Sequence, residues 1–443
     1  MKTKIELFIL FVVCIGLMPG CGKKQEHIFS SLKDVDTVAR LKLFVSEKES
    51  QARTAAEASG QTMPPETQKF FQAAERGDWL TVSNLFNSFA QNDNQSSDKT
   101  LPRLRKMPWE PMVRETWGAL DAFSEGDAKY TVLYSKDVIN SIPFGSIYFG
   151  GTDVGRFLIT AMQKSQVNGN PFFTLTQNAL ADGSYLDYLR SMYGDKIYIP
   201  TPEELQKCFD DYSADEWKRL EYNQLKRGED VSIDANGKVQ VRGVVSMMTI
   251  NGLLAKIIFD QNLGEEFYLQ QSFPLDWMYS YLEPHGLILK INRQPMAEIS
   301  ADIIQSDHDY WAKTISPMIG NWLTDSASVA DVVAFDEEVF GRRDFHGFSG
   351  DRRFIENRYA SAAFAWDRSN IAGLYVWRMN HTGNSDEKER MAQAADFAFR
   401  QALALCPYNS DTVDNYQDFL KNRNRDADAA LVNNMALNLG RPK

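Results

Sequence analysis

The residues best placed to do chemistry lie in one glycine-rich stretch, Gly150-Gly151-Thr152-Asp153-Val154-Gly155-Arg156. A glycine turn that opens a helix presents unpaired backbone N–H groups, and such a terminus is suited to anions. Asp153 and Asp182 add two carboxylates and Arg156 adds a guanidinium, a set that could serve as an acid/base pair with an anion clamp on a glycan or sugar phosphate. The spacing argues against a nucleotide. It is neither G-x-G-x-x-G nor a P-loop, no Lys-Ser/Thr pair follows, and Asp153 stands where a capping carboxylate would take up the same N–H groups. A structural turn is therefore the first reading, a small-ligand site the second and a nucleotide site the third. If a ligand binds, Thr152, Asp153, Arg156, Gln177, Asn178 and Asp182 line its site, because ligands of open parallel sheets sit beyond the carboxyl ends of the strands.

Other chemistries have less support. His27, His285, His308, His346 and His381 are scattered, with no i, i+4 pair and no neighbouring cysteine, so no metal site is expected. Asp307-His308-Asp309 reads as the solvated face of a helix. The Asp-x-Asp pairs at Asp34/Asp36, Asp307/Asp309 and Asp426/Asp428 fall in helical or polar stretches, not after a strand as a metal-dependent sugar transferase would need. G-x-S-x-G is absent. Cys208 and Cys406 read as free buried thiols, and Trp109, Trp277, Trp311 and Trp322 as core residues instead of a sugar platform. No cofactor is expected and no catalytic residue is assigned.

The glycine turn needs a strand before it and a helix after it. Ser146-Ile147-Tyr148-Phe149 supplies the strand, and Phe157, Leu158 and Ala161 begin the helix. Phe172 to Thr176 followed by Tyr185 to Met192 repeats the pattern. A third unit comprises a helix over 247–259, a strand over 267–270, a helix from Pro274 to Leu282 and a strand over 287–291. Alternating strands and helices predict a Rossmann-like α/β domain over 105–320, with a mostly parallel sheet flanked by helices. Before it, 63–104 reads as an all-α hairpin and 21–62 as a polar, partly helical leash. After it, 321–443 reads as tetratricopeptide-like helices. Ala402-Leu403-Ala404-Leu405 and Ala436-Leu437-Asn438-Leu439 stand 34 residues apart, the period of that repeat.

Composition bounds the function. The 443 residues carry 59 acidic and 48 basic side chains, a net charge of −11 that argues against nucleic acid. A mean hydropathy of −0.38 leaves no room for a bundle of membrane helices. The N-terminus has Lys2 and Lys4, an uncharged apolar run from Leu7 to Met18, and Leu17-Met18-Pro19-Gly20-Cys21. That run is too short to span a bilayer. It resembles a bacterial lipoprotein signal peptide over 1–20, with Cys21 acylated after cleavage, which would make the mature chain one unit more acidic. The expected location is the cell envelope, membrane-anchored and facing the periplasm or the exterior.

Ile142 to Asp153, Gly155-Arg156-Phe157, Phe172 to Asp182 and Tyr185 to Tyr193 together resemble the soluble Rossmann-like region that accompanies predicted bacterial membrane glycosyltransferase-like proteins of unknown function. That region is often followed by tetratricopeptide repeats. The resemblance implies an accessory domain without the membrane-embedded catalytic part. The expectation is thus a non-catalytic binding or scaffold module, holding a protein partner at the helical repeats or an envelope glycan. An enzyme using the strand-end cleft near Asp153 and Asp182 is the alternative.

Overall fold

In the computed structural model the chain is described over residues 27–94 and 107–440, apart from 33, 167, 195, 227–228, 234–238 and 274. The lipoprotein box with Cys21 lies outside the described residues, as does Pro274.

The segment expected as a leash is built into the body. After a single turn, α1 (Ile28–Ser31), comes α2 (Val35–Ala58), whose first turn is capped by Asp34 accepting from the Asp36 N–H at 3.1 Å. Leu41, Phe44, Val45, Ala52 and Ala56 recur on one face and are buried. That face packs on α3 (Pro65–Arg76) and α5 (Glu110–Glu125), which with α4 (Trp79–Asn94) complete a helical layer. Two polar locks hold it. Arg40 donates to the carbonyls of Ala161 and Lys164 at 2.9 and 2.8 Å. The fully buried Lys48 pairs with Glu115 of α5 at 2.5 Å and donates to the Tyr188 hydroxyl at 2.6 Å. The expected leash is corrected over Val35–Ala58 for this reason: a buried ion pair completes the inner face, and a count of apolar residues scores it as polar.

The chain continues through α6 (Ala128–Ser141), β1 (Ile147–Gly150), a π-helical turn (Val154–Leu158) merging into α7 (Ile159–Met162), and β2 (Phe173–Thr176). Next come α8 (Gly183–Tyr193), α9 (Pro202–Glu221), a small hairpin of β3 (Asp230–Ile233) and β4 (Val239–Arg242), α10 (Val244–Gln261) and β5 (Phe267–Gln270). The last two strands are β6 (Leu282–His285) and β7 (Ile288–Ile291), and the sheet order is β2-β1-β5-β7-β6. β1 runs parallel to β2 and to β5, with Ile147 opposite both Phe173 and Phe267. Every residue of these three strands is buried, as expected of strands covered on both faces. α10 is the one helix among the described residues long and apolar enough to cross a membrane, and half of it is buried inside the protein.

The sheet is mixed, and the third strand–helix unit of the sequence reading is replaced by a hairpin. Residues 279–281 form a single 3-10 turn in place of the expected helix. β6 then turns at Gly286, whose φ is +63°, and β7 returns antiparallel to both β5 and β6. With His285 paired to Ile288, a two-residue turn closes the hairpin and no crossover helix is required.

The remainder is helical: α11 (Ala301–Ile319), α12 (Val329–Asp336), α13 (Arg352–Glu356), α14 (Arg358–His381), α15 (Ser385–Leu405), α16 (Ser410–Asn422) and α17 (Asp426–Asn438). α14 with α15 and α16 with α17 form two successive helix pairs, α16 packs on both members of the first pair, and α12 lies against α15 and α17. The two Ala-Leu signatures fall at the ends of α15 and α17. One hydrophobic core runs from Ile28 to Ala436, so the helical pairs share their packing with the sheet.

Candidate functional site

The glycine turn lies at the carboxyl end of β1, where the chain leaves for β2 on one side and later for β5 on the other. In an open sheet that is where a ligand would enter. Here the protein's own side chain fills it. Gln270, the last residue of β5, accepts with its Oε1 from the N–H groups of Gly151 and Thr152 at 3.1 and 2.8 Å. The glycines exist for this approach. A Cβ on Gly155 would stand 2.1 Å from Gln270 Oε1, and one on Gly151 would stand 2.3 Å from the Gln270 carbonyl. Thr152 caps the turn by accepting from the Gly155 N–H at 3.1 Å, and the Tyr148 hydroxyl donates to the Gly155 carbonyl at 2.7 Å. The N-cap role expected of Asp153 therefore belongs to Thr152.

Of the six expected site residues the structure brings only Asp153, Arg156 and Asn178 together. Arg156, almost fully buried, donates through Nε to Asp153 at 3.1 Å and through Nη1 to Asn178 at 2.6 Å. Gln177 turns the other way and accepts from the Ser272 N–H at 3.0 Å, tying the end of β2 to the end of β5. Asp182 caps α8, accepting from the N–H and hydroxyl of Ser184 at 2.9 and 2.7 Å. Arg156 and Asp182 do share a cleft with Glu110, Arg114, Glu115 and Tyr185, but its volume is roughly 30 Å³, against about 300–1,000 Å³ for small-molecule pockets. Asp153 is not among the residues that line it. The proposed carboxylate pair is thus divided between a guanidinium clamp and a helix cap.

A lid over the strand ends comes from the helical part of the chain. On α14, Trp366 Nε1 and Asn370 Nδ2 both donate to the Gln271 carbonyl at 2.9 Å. The buried Asp367 accepts from Gln270 Nε2 at 2.8 Å and from the Tyr134 hydroxyl at 2.7 Å. One turn of α14 therefore orients the glutamine that fills the glycine turn. Burial pushes the Asp367 carboxyl up to about 7, against the lowering effect of its two donors. Farther along, Arg378 donates to the carbonyls of Met296 and Ser280 at 2.8 Å.

A more open concavity lies elsewhere. A groove of about 400 Å³ runs between α15 and the α16–α17 turn, floored by Ala392 and Phe419 and walled by Glu389, Gln393, Asp396, Asn422, Arg423, Asn424 and Arg425. Its charges are matched: Arg423 bonds Glu389 at 3.1 Å and Arg425 bonds Asp396 at 2.7 Å. Gln393, Asn422 and Asn424 bring carboxamides, each offering a donor and an acceptor on one plane.

Two further expectations can be placed. Asp307 is not on a solvated face: it is buried and holds the fully buried Arg368 of α14 at 2.7 and 3.0 Å, with the Tyr375 hydroxyl donating at 2.9 Å. His308 rests on the Phe397 ring, and burial lowers its pKa. Cys208 and Cys406 are free and buried, their thiols pushed up by burial to about 11 and about 12. Among the described residues no group of His, Cys, Asp and Glu could hold a metal ion. Sequence reasoning missed Gln270, Asp367 and Lys48. A signal existed for the first two: a glutamine pair ends an otherwise apolar strand, and an Asp-Arg pair interrupts the apolar run of α14. No family model, no curated protein and no solved structure matches the chain.

Proposed function

We propose that the chain is a lipid-anchored, non-catalytic binding module of the cell envelope, tethered through Cys21 and holding a protein partner in the groove between α15 and the α16–α17 turn. The observation that carries this reading is the contrast between two sites. The strand-end N–H groups are taken by Gln270 and both proposed carboxylates by structural contacts, whereas the groove stays open and lined with polar side chains. Charges paired within the groove do not call for a charged ligand, and carboxamides, which both donate and accept, suit the alternating donors and acceptors of an extended peptide backbone. The 34-residue spacing of two consecutive helix pairs supports a tetratricopeptide-like reading of this region.

Photo-crosslinking residues placed at Gln393 and Asn422 in intact cells test the groove. The expected result is one discrete adduct from both positions that is absent from Leu225, an exposed position on another part of the surface. Identical adduct patterns from all three positions would overturn the assignment. Palmitate labelling tests the tether: incorporation is expected in the wild type and lost in Cys21→Ala, and unchanged incorporation in the variant removes the anchor.

A further inference from the structure

The two ends of the parallel strands are treated differently. The carboxyl ends are covered by α14, while the amino ends carry apolar side chains that nothing covers. Phe144, in the turn just before β1, is 77% exposed, and Leu263, in the turn just before β5, is 79% exposed. These turns are neighbours, since the Ile147 N–H donates to the Glu266 carbonyl at 2.9 Å. The other most exposed side chain of this class is Val35, at 78%, in the first turn of α2. Among the described residues no other large apolar side chain reaches these values. Val35 belongs to the same side of the molecule. Arg40, one turn on, bonds the Lys164 carbonyl in the loop that leads into β2, and Asp34 lies 3.8 Å from Lys136 on α6, the helix that descends to Phe144.

We infer that Val35, Phe144 and Leu263 form the edge by which the protein rests on the lipid surface. The inference rests on the anchor at Cys21. From Cys21 to His27, where the described chain begins, there are six residues, which reach at most about 22 Å when fully extended. His27 pairs with Asp78 in the turn after α3, and α2 and α3 pack as a hairpin, so the tether arrives at the α2 end that bears Val35. An acylated Cys21 thus holds this side against the bilayer. Basic groups nearby are matched by acids, Lys136 by Asp34, Lys256 by Asp260 and Lys290 by Glu266. Contact at this edge therefore comes from apolar insertion, to which Lys23 and Lys24 of the tether add attraction for anionic lipid.

The test uses full-length acylated protein reconstituted in phosphatidylcholine vesicles. Single variants Val35→Cys, Phe144→Cys, Leu263→Cys and, on α17, Leu431→Cys carry an environment-sensitive fluorophore, the buried native thiols staying unlabelled. Nitroxide-bearing lipid chains are expected to quench the first three at least threefold more than the fourth in phosphatidylcholine alone. Quenching at 144 and 263 no greater than at 431 overturns the proposal, as does protection of these sites by a second copy, seen as a doubled mass without quenching. Three reporters guard against one variant failing to fold. Palmitate incorporation at Cys21 is read on the same preparations, so loss of the anchor is distinguished from an anchored protein seated on another face.

Discussion

Asp367 makes the helical lid over the strand ends responsive to pH, in a direction that can be worked out. Its carboxyl is buried between the Tyr134 hydroxyl and Gln270 Nε2, with Tyr148 and Tyr310 close enough to feel its charge. Both hydrogen bonds favour the ionised form, yet desolvation outweighs them and the folded value rises to about 7 from an ordinary 3.8. The folded state therefore keeps a proton that the unfolded chain has released, and stability falls as pH rises between those values. The slope approaches 1.4 kcal/mol per pH unit, and the whole span is roughly 4 kcal/mol. Asp367→Asn removes the titration while leaving an amide oxygen for Gln270 and an amide N–H that Tyr134 can accept. Relative to wild type, the variant should gain with rising pH from about 4 to about 8 by several degrees in melting midpoint, at about 2 °C per kcal/mol. The measurement is the difference between the two midpoints across that range, which cancels every other titrating group. Parallel profiles would refute the argument that desolvation controls this carboxyl.

Glu115→Gln should destabilise by about 3–5 kcal/mol, because it leaves the buried Lys48 ammonium unpaired; a denaturation midpoint shift equivalent to less than about 1 kcal/mol would show that α2 does not depend on the pair. Lys48→Met with Glu115→Leu should restore much of the loss. Gly155→Ala places a methyl 2.1 Å from Gln270 Oε1 and should cost about 1–3 kcal/mol, whereas at Gly183 the nearest atom, Leu205 Cδ2, is 3.5 Å away and alanine should be tolerated. With thiols held at about 11 and about 12, Cys208 and Cys406 should resist a thiol reagent at pH 8 until the chain is unfolded; rapid labelling of the native protein would contradict their burial.

What sequence could reveal followed from local rules. Ser146 to Phe149, Phe172 to Thr176 and residues 267–270 were legible as strands, within a residue or so of β1, β2 and β5, because short runs rich in aromatic and β-branched residues bounded by turn signals suit a sheet covered on both faces. The helices after residue 350 appeared because their apolar spacing and end signals are contained within each segment. The glycine turn was legible as a turn, and its resistance to a nucleotide could be argued from spacing. Its occupant could not: Gln270 lies 119 positions from Gly151, and only the parallel pairing of β1 with β5 brings them together.

The same division holds elsewhere in the chain. Sequence by itself determined four of the strands (β1, β2, β5 and β7), most of the helices, the acidic balance and the free thiols, since each depends on side chains a few positions apart or on composition. Tertiary structure decided that Asp153 pairs with Arg156 while Asp182 caps α8, and that the supposed leash is a packed helix. It decided also that Asp307 is core and that α14 closes the strand ends. Each of those outcomes turns on a polar group whose partner is distant in sequence. A buried charge or carboxamide looks like surface until the fold supplies the group that satisfies it, because the free energy of burying it is set by that partner and not by the residue alone.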